Sequence, residues 1–279
     1  MFDIIVLRSL KWGYAVKKIK SLEKVCSILD CFSELRPEWS LTELASQLDI
    51  PKTTLTTLLG TLQDCGYLER DPRTGRYHLG LRFFELGFVV RSEMKIRTHI
   101  LPALEELQRE TGEIVYLTIP RNGKVLYLEA LYPSVRLVQY STAGRLADMH
   151  ATGVGKAMLA YMPKREVNTV ITRWGLPKKT PNTLKSPEDL QLELDKIRER
   201  GYAVDWEENE LTIRCVAVAI RNSRNESIGA ISVSGPSVNF TPVRIPQYAA
   251  QIQQVVSGIT RFSHLLPKPT LLADQQRWS

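Results

Sequence analysis

The sequence predicts an α+β protein of two domains, and three observations support this fold class. The chain has 279 residues, which is more than most single compact domains contain and comfortable for two. Roughly the first 80 residues show short amphipathic helices followed by a hairpin pattern. From about residue 94 onward, apolar strands alternate with helices, and this mixture is typical of an α+β domain.

The first domain contains a predicted helix-turn-helix. A helix over "SLEKVCSILDCF" is followed by "SLTELASQL", in which Ser40 and Glu43 have the spacing of a capping box. After the break "DIP", the segment "KTTLTTLLGTLQDCG" places its leucines on one face and ends at Gly66. Two short helices joined by a tight turn indicate a helix-turn-helix.

A hairpin with arginines completes this domain as a winged helix-turn-helix. The segment "GYLERDPRTGRYHLG" has two strand patterns around the turn "DPRTG". Small hydroxyl groups, one lysine and the wing arginines can lie against phosphates and base edges. The predicted DNA contacts are Lys52, Thr53, Thr54, Thr56, Thr57, Arg73 and Arg76. The alternative is a solvated threonine-rich surface without a DNA partner.

The rest of the chain is predicted as a linker helix and a second, mixed domain. "LRFFELGFVVRSE" is amphipathic and connects the two domains. Strand patterns occur at "EIVYLTIP", "KVLYLEALY" and "VRLVQYS", and "TIRCVAVAIRN" pairs with "SIGAISVSG" as a hairpin. The helices predicted here are "IRTHILPALEELQRETG", "GVGKAMLAYM", "REVNTVITRWG", "SPEDLQLELDKIRERG" and a long final helix. The predicted divisions are a tail (1–15), the winged helix-turn-helix (16–80), the linker helix (81–93), the second domain (94–268) and a C-terminal tail (269–279).

Composition and charge leave several function classes open and disfavour others. The net charge of +7 permits binding to an acidic polymer but does not show it, and neither half of the chain is strongly basic. No apolar stretch approaches the roughly 20 residues of a membrane helix, and the N-terminal apolar run lacks the layout of a signal peptide. We therefore expect a cytoplasmic protein with no membrane partner.

The cysteines predict neither a metal site nor a disulfide framework. Cys26, Cys31, Cys65 and Cys215 show no paired metal-ligand spacing. We interpret them as reduced, buried small apolar groups, and we expect no metal and no cofactor.

Three features of the second domain are candidates for a ligand site. Gly153 and Gly155 open a helix in "HATGVGKAMLA", so backbone N–H groups there can point at an anion; the alternative is a glycine-rich helix start with no ligand. Ser232 and Ser234 share one face of a strand and can line a polar pocket or simply face solvent. Cys215 shares a face with small alanines, which leave room for a ligand.

An enzyme that uses Cys215 is the competing interpretation. A cysteine nucleophile needs a positioned base, and among the four histidines only His150 is a plausible partner. Because no clear Cys–His pair is visible, we predict that the chain is not an enzyme and has no catalytic residue. A sensor or interaction module without DNA binding is a third possibility.

The ordered motifs together resemble the IclR family of bacterial transcriptional regulators. They are "SLEKVCSILDCF", "LTELASQLDIPKTTLTTLLGTLQDCGYL", "GRYHLGLRFFELG", "HATGVGKAMLA" and "RERGYAVDWEENELTIRCVAVAI" followed by "AISVSGP". The resemblance implies operator binding by the winged helix, a GAF/PAS-like effector-binding domain, a small carboxylate effector, and a homodimer or homotetramer, more often acting as a repressor. The implied effector contacts are Gly153, Val154, Asp205, Cys215, Ser232 and Ser234.

The sequence departs from the family pattern at two places. Family recognition helices often carry an aromatic residue or a histidine followed by an arginine where this chain has Thr56 and Thr57. The operator sequence therefore does not follow from relatives. Leu211–Thr212–Ile213 stands where a glycine is common, before Cys215.

Overall fold

The computed structural model describes residues 19–94, 96–133 and 142–267, and it divides into two compact units, Met1–Glu93 and Met94–Ser279. Both predicted tails and the predicted strand "VRLVQYS" lie outside the described residues. Each unit has its own hydrophobic core, so each is described by itself.

The first unit contains the predicted helix-turn-helix and wing. Ser40 and Glu43 form both hydrogen bonds of the capping box, which fixes where the second helix begins. In the third helix Leu55, Leu59 and Leu62 are buried. The elements are α1 (Lys20–Asp30), α2 (Leu41–Leu48), α3 (Lys52–Asp64), β1 (Leu68–Arg70), β2 (Tyr77–Leu79) and α4 (Arg82–Ser92).

The burial of α1 and of the cysteines differs from the sequence prediction. Ile28 is the buried residue of α1, whereas Leu22 and Cys26 are exposed, although helical periodicity places both with the apolar residues of this segment. Cys65, at the end of α3, is exposed as well. The prediction of four buried cysteines is therefore wrong for Cys26 and Cys65, because a three-helix unit buries a narrow stripe of each helix rather than a whole apolar face.

The second unit is built on one antiparallel sheet with helices on both faces. The six described strands lie in the order β5-β4-β3-β8-β7-β6, and every neighbouring pair is antiparallel. The strands are β3 (Ile114–Arg121), β4 (Lys124–Leu131), β5 (Leu146–Asp148), β6 (Ala203–Trp206), β7 (Ile213–Arg221) and β8 (Ser227–Pro236). The helices are α5 (Ile96–Thr111), α6 (Gly153–Ala160), α7 (Lys164–Trp174), α8 (Pro187–Arg200) and α9 (Arg244–Ile259), with a 3-10 helix over Thr260–Leu265.

Alternation along the strands gives the sheet two different faces. One face is large and apolar, with Val216, Val218 and Ile231 packed under α5 and α9. The other face carries small and polar residues and packs against α6, which in turn packs against α8. The curled sheet matches the predicted GAF/PAS-like α+β fold, and it presents its polar face to the start of α6.

Candidate DNA-binding surface and effector site

The outward face of α3 is a row of threonines next to one lysine. Lys52, Thr53, Thr56 and Thr57 are exposed and Thr54 is half-buried. The hydroxyls of Thr56 and Thr57 donate to the carbonyls of Lys52 and Thr53 one turn earlier, at 2.8 and 3.3 Å. Their γ-methyl groups and remaining lone pairs stay available to a partner.

The turn of the wing is held by Asp71, and Arg73 lies at its tip. The Asp71 carboxylate accepts the backbone N–H groups of Arg73, at 2.7 Å, and Thr74, at 3.3 Å. These two hydrogen bonds hold the pKa of Asp71 below its usual range. Arg73 is exposed, and no carboxylate among the described residues forms an ion pair with it, so its charge is available to a phosphate.

Arg76, also predicted as a DNA contact, has a second role in the structure. Its guanidinium donates to Glu43 at 2.8 Å and lies 3.7 Å from Glu38, so it ties the wing to α2. Glu43 is the capping-box acid, and its hydrogen bonds from Ser40, followed by the one from Arg76, lower its pKa to about 2. The sequence analysis missed this anchoring role.

In the second unit, the N-terminus of α6 is built so that it lies very close to the sheet. The Thr152 hydroxyl caps the helix by accepting the N–H of Gly155 at 3.2 Å. A Cβ at Gly153 would collide with the sulfur of Cys215, and one at Gly155 would collide with the backbone of Met149. The glycines therefore serve close approach, and they bring the first N–H groups of α6 against β7.

The strand register places the predicted effector contacts side by side. Asp205 on β6 pairs with Cys215 on β7, which pairs with Ser234 on β8. Ser232 lies one pair further along the same face, opposite Ala217. All four predicted strand contacts are buried, and β8 is an inner strand, so the alternative of a solvent-facing serine edge is wrong.

The Cys215 thiol is in an environment that keeps it protonated. Burial, followed by the nearby Asp205 carboxyl, raises its pKa, and the N–H of Gly153 opposes this only in part. His150, the one plausible base, is buried and has its Nε2 atom 3.1 Å from the carbonyl oxygen of Pro177. Desolvation lowers the pKa of His150, so the imidazole is neutral. These surroundings favour the neutral thiol of Cys215 over the thiolate that a cysteine nucleophile needs.

A buried ion pair beneath the site was not foreseen. Lys156 on α6 is fully buried and its Nζ atom pairs with Oε1 of Glu208. The backbone N–H of Glu208 donates to Asp205 at 2.7 Å, so the ion pair and the acid of the site share one turn. Burial raises the pKa of Glu208 despite Lys156, and it raises the pKa of Asp205 to about 7.

Tyrosines form a further wall of the site that the sequence analysis did not identify. Tyr127 on β4 and Tyr116 on β3 make an edge-on ring contact, with centroids 5.0 Å apart. Burial raises the pKa of the Tyr127 phenol, and the proximity of Cys215 and Asp205 adds to this. Tyr127 therefore lies near Cys215 and Asp205, although β3 and β8 separate its strand from β7 in the sheet order.

The segment between α7 and α8 makes hydrogen bonds to the turn after β6 and an ion pair next to the start of α6. The Thr180 and Thr183 hydroxyls donate to the carbonyls of Glu207 and Glu208, both at 2.7 Å. Lys179 pairs with Asp148, just before α6, at 2.8 Å. This segment therefore holds the start of α6 and the end of β6 together.

A winged helix-turn-helix unit followed by an α+β unit with a buried polar site defines the class of ligand-responsive DNA-binding transcriptional regulators. Two family models match the chain: the IclR helix-turn-helix domain over residues 21–72 and the C-terminal domain of bacterial IclR transcriptional regulators over residues 88–261. The chain belongs to the IclR family of bacterial transcriptional regulators.

Relatives in sequence and structure agree with this assignment. The chain is 35% identical over 243 residues to the HTH-type transcriptional regulator XynR of Escherichia coli, covering 87% of this chain and 96% of XynR. It is 29% identical over 248 residues to the transcriptional repressor IclR of the same organism, covering 88% and 90%. The crystal structure of Thermotoga maritima IclR is 30% identical, with a TM-score of 0.64, and the match covers 88% of this chain and 99% of that one.

A further solved relative was determined with a ligand. The IclR homologue of Microbacterium hydrocarbonoxydans complexed with 4-hydroxybenzoate is 24% identical, has a TM-score of 0.70 and covers 88% of this chain and 99% of that one, which supports the fold.

Among the described residues, no helix has the length and apolar character needed to span a membrane.

Proposed function

We propose that this protein is a cytoplasmic transcriptional repressor whose operator binding is modulated by a small carboxylate bound in the second unit. The observation that carries the proposal is that Asp205, Cys215, Ser232 and Ser234 share one buried face of the sheet and that Gly153, at the start of α6, lies directly against Cys215. Val154, the sixth predicted contact, follows Gly153 in α6 and is buried. These residues occur in a chain whose first unit presents a wing and an exposed polar helix.

A carboxylate fits the donors of this site. The first N–H groups of α6 and the positive end of its dipole favour an anion, and the two serine hydroxyls can donate to it. Ser234 has a long hydrogen bond of its own, 3.4 Å to the carbonyl of Arg214, so its hydroxyl can turn to a ligand at little cost. The 4-hydroxybenzoate complex of the Microbacterium homologue supports an acid as the ligand class.

The effector proposal is tested by calorimetry with a panel of acids: glyoxylate, pyruvate, gluconate and 4-hydroxybenzoate. Ser234→Ala should weaken binding of the responsive acid by about 1–3 kcal/mol, because a buried partner is left unpaired. Ser227→Ala is the matched control, since Ser227 lies on the same strand but donates to the carbonyl of Met158. If Ser232→Ala, Ser234→Ala and Asp205→Ala all bind the acid as the wild type does, the effector site is elsewhere.

The DNA interface is proposed to consist of Lys52, Thr53, Thr54, Thr56 and Thr57 of α3 with Arg73 and Arg76 of the wing. Lys52 and Arg73 carry the exposed charges of this surface. A gel shift with the protein's own upstream region tests binding. Each of Lys52→Ala and Arg73→Ala should lower the slope of log affinity against log salt by roughly 1, since each removes one phosphate contact. An unchanged affinity in the double variant contradicts the proposed interface.

We propose no catalytic role for Cys215, and thiol reactivity distinguishes this from the enzyme interpretation. Cys26 and Cys65 are exposed, whereas Cys215 is buried with a raised thiol pKa. Iodoacetamide at neutral pH should alkylate the two exposed cysteines first and Cys215 last, as mass spectrometry of timed digests can show. Preferential alkylation of Cys215 would support the enzyme.

A further inference from the structure

The charges buried around the effector site do not balance if every group is ionised. Lys156 is the cation of this cluster, and two carboxyls, Asp205 and Glu208, lie with it. Lys156 pairs directly with Glu208, and no cation among the described residues forms an ion pair with Asp205. A second buried carboxylate without a partner is costly, so the cluster favours one proton.

The groups that face Asp205 come from four elements. Lys156 approaches from α6, Cys215 from β7, Tyr127 from β4, and Glu208 from the turn after β6. The thiol and the phenol have raised pKa values and stay neutral. Backbone N–H groups of Glu208 and Asn209 stabilise the ionised form of Asp205, but burial outweighs them. Because Glu208 pairs with the lysine and Asp205 does not, we assign the proton of the cluster to Asp205.

An anionic effector would add a further negative charge next to this cluster. If Asp205 were ionised, the effector's carboxylate and the Asp205 carboxylate would repel each other at close range. If Asp205 is protonated, its O–H becomes a donor in the same row as Ser234, and the repulsion turns into a hydrogen bond.

We propose that burial keeps a proton on Asp205 because Glu208 neutralises Lys156, the cation of this cluster, and that Asp205 donates this proton in a hydrogen bond to the effector's carboxylate. Because Glu208 neutralises the charge of Lys156, this lysine does not attract the ligand's carboxylate. Effector binding is then accompanied by proton uptake whenever Asp205 is ionised in the free protein. This inference rests on the proposed function only for the identity of the ligand; the state of Asp205 is a property of the free protein.

The free protein is tested first, by carbon-13 NMR titration of full-length protein labelled at the aspartate side-chain carboxyl. We expect one resonance that titrates near pH 7 and is missing in Asp205→Asn. In Glu208→Gln the lysine is released to Asp205, so the midpoint should fall by more than one pH unit. In Lys156→Met the midpoint should rise, because the opposing charge is lost. A midpoint near 4 in the wild type, or one that Glu208→Gln leaves unchanged, overturns the inference even if Lys156→Met fails to fold.

The donor role is tested with the acids of the panel, which are ionised throughout pH 6–9. The association constant of a bound acid should fall by about tenfold per pH unit above the Asp205 midpoint, because each binding event requires one proton. Asp205→Asn, whose amide donates at every pH, should bind with no such slope. A flat wild-type profile contradicts the donor role. If no acid of the panel binds, the carboxylate assignment and the donor role fail together, while the NMR titration still decides whether Asp205 keeps its proton.

Discussion

At the scale of single residues, the site depends on one close backbone contact, at Gly153, and on one buried charge, that of Lys156. Gly153 is required because any side chain there would collide with Cys215, and this contact seats α6 on the sheet. Lys156, with an exposed fraction of 0%, is tolerated because Glu208 lies within ion-pairing distance. Gly153 thus serves the shape of the site and Lys156 its charge, rather than the stability of the fold.

Asp205 should make the protein less stable as the pH rises towards neutrality. Its folded-state pKa of about 7 lies above that of an exposed aspartate, so the folded state binds the proton more tightly. The stabilising effect of that proton is complete below about pH 4 and is lost as the pH rises through 7, on the order of 4 kcal/mol in total. Asp205→Asn should flatten this decline, as measured by urea unfolding at a series of pH values.

Asp148 provides a control of opposite sign for this measurement. Lys124 and Lys179 pair with its carboxylate and lower its pKa despite burial. Its stabilising contribution is present above the pKa of the unfolded chain and disappears as the pH falls through the lower folded-state value. Asp148→Asn should therefore cost stability at neutral pH and little in acid. Identical pH profiles for the two variants would contradict both pKa assignments.

At the scale of elements, local signals in the sequence were sufficient wherever local chemistry decides the structure. The capping box at Ser40 predicted where α2 begins, and α8 lies within the predicted segment "SPEDLQLELDKIRERG", with Ser186 as its N-cap. The β7–β8 hairpin followed from its alternation of residues. The short strands β5 and β6 were missed because three or four residues show no periodicity and become strands only by pairing with β4 and β7.

The same distinction explains which parts of the site could be predicted. The glycine turn, Cys215 and the two serines are visible as local patterns, and the family resemblance implied that they form one site together with Asp205 and Val154. The Lys156–Glu208 pair joins residues 52 positions apart, and the Arg76–Glu43 pair joins residues 33 positions apart. Partners at such separations depend on the packing of whole elements, so no local pattern in the sequence predicts them.

The two wing arginines should respond differently to removal, because one holds the wing and the other is free of ion pairs with described residues. Arg76→Ala removes the hydrogen bonds to Glu43 and to the carbonyl of Glu38, so it should lower the unfolding temperature of the first unit as well as weaken operator binding. Arg73→Ala should weaken operator binding and leave the unfolding temperature unchanged. Calorimetric scans of the full-length variants, run beside gel shifts at several salt concentrations, measure both quantities. Equal unfolding temperatures for the two variants would show that Arg76 does not anchor the wing.

At the scale of the whole molecule, we assign operator binding to the first unit and effector binding to the second. The first unit has a core of its own around Leu44, Leu55 and Leu59, and the second has two cores on the two faces of its sheet. A ligand can change operator affinity only if the DNA-competent and DNA-incompetent states of the protein bind it differently. Effector affinity should therefore change when operator is present, by the same factor by which the effector changes operator affinity.

The assembly of the protein is the last prediction, and the first unit supplies its physical basis. A single winged helix covers one half-site, and two-fold dimers read two half-sites separated by about one turn of DNA or a multiple of it. On α4 and its N-cap residue, the side chains of Leu81, Phe84 and Phe88 form a stripe at helical spacing, with exposed fractions of 73%, 78% and 67% in the single chain. Exposed apolar patches commonly mark interaction surfaces, so this stripe is the surface on which the assembly prediction is based.

We therefore expect a homodimer or a homotetramer in which the α4 stripe is buried between copies of the chain. Phe84→Ser combined with Phe88→Ser should lower the mass measured by light scattering at micromolar concentration, and operator affinity should fall because two half-sites are no longer read together. Glu85→Gln is the matched control: its exposed side chain lies on the same helix, but it pairs with Arg82 and adds no apolar contact. A wild-type protein that stays monomeric with and without operator would refute the assembly. A double serine variant with unchanged mass would place the interface elsewhere.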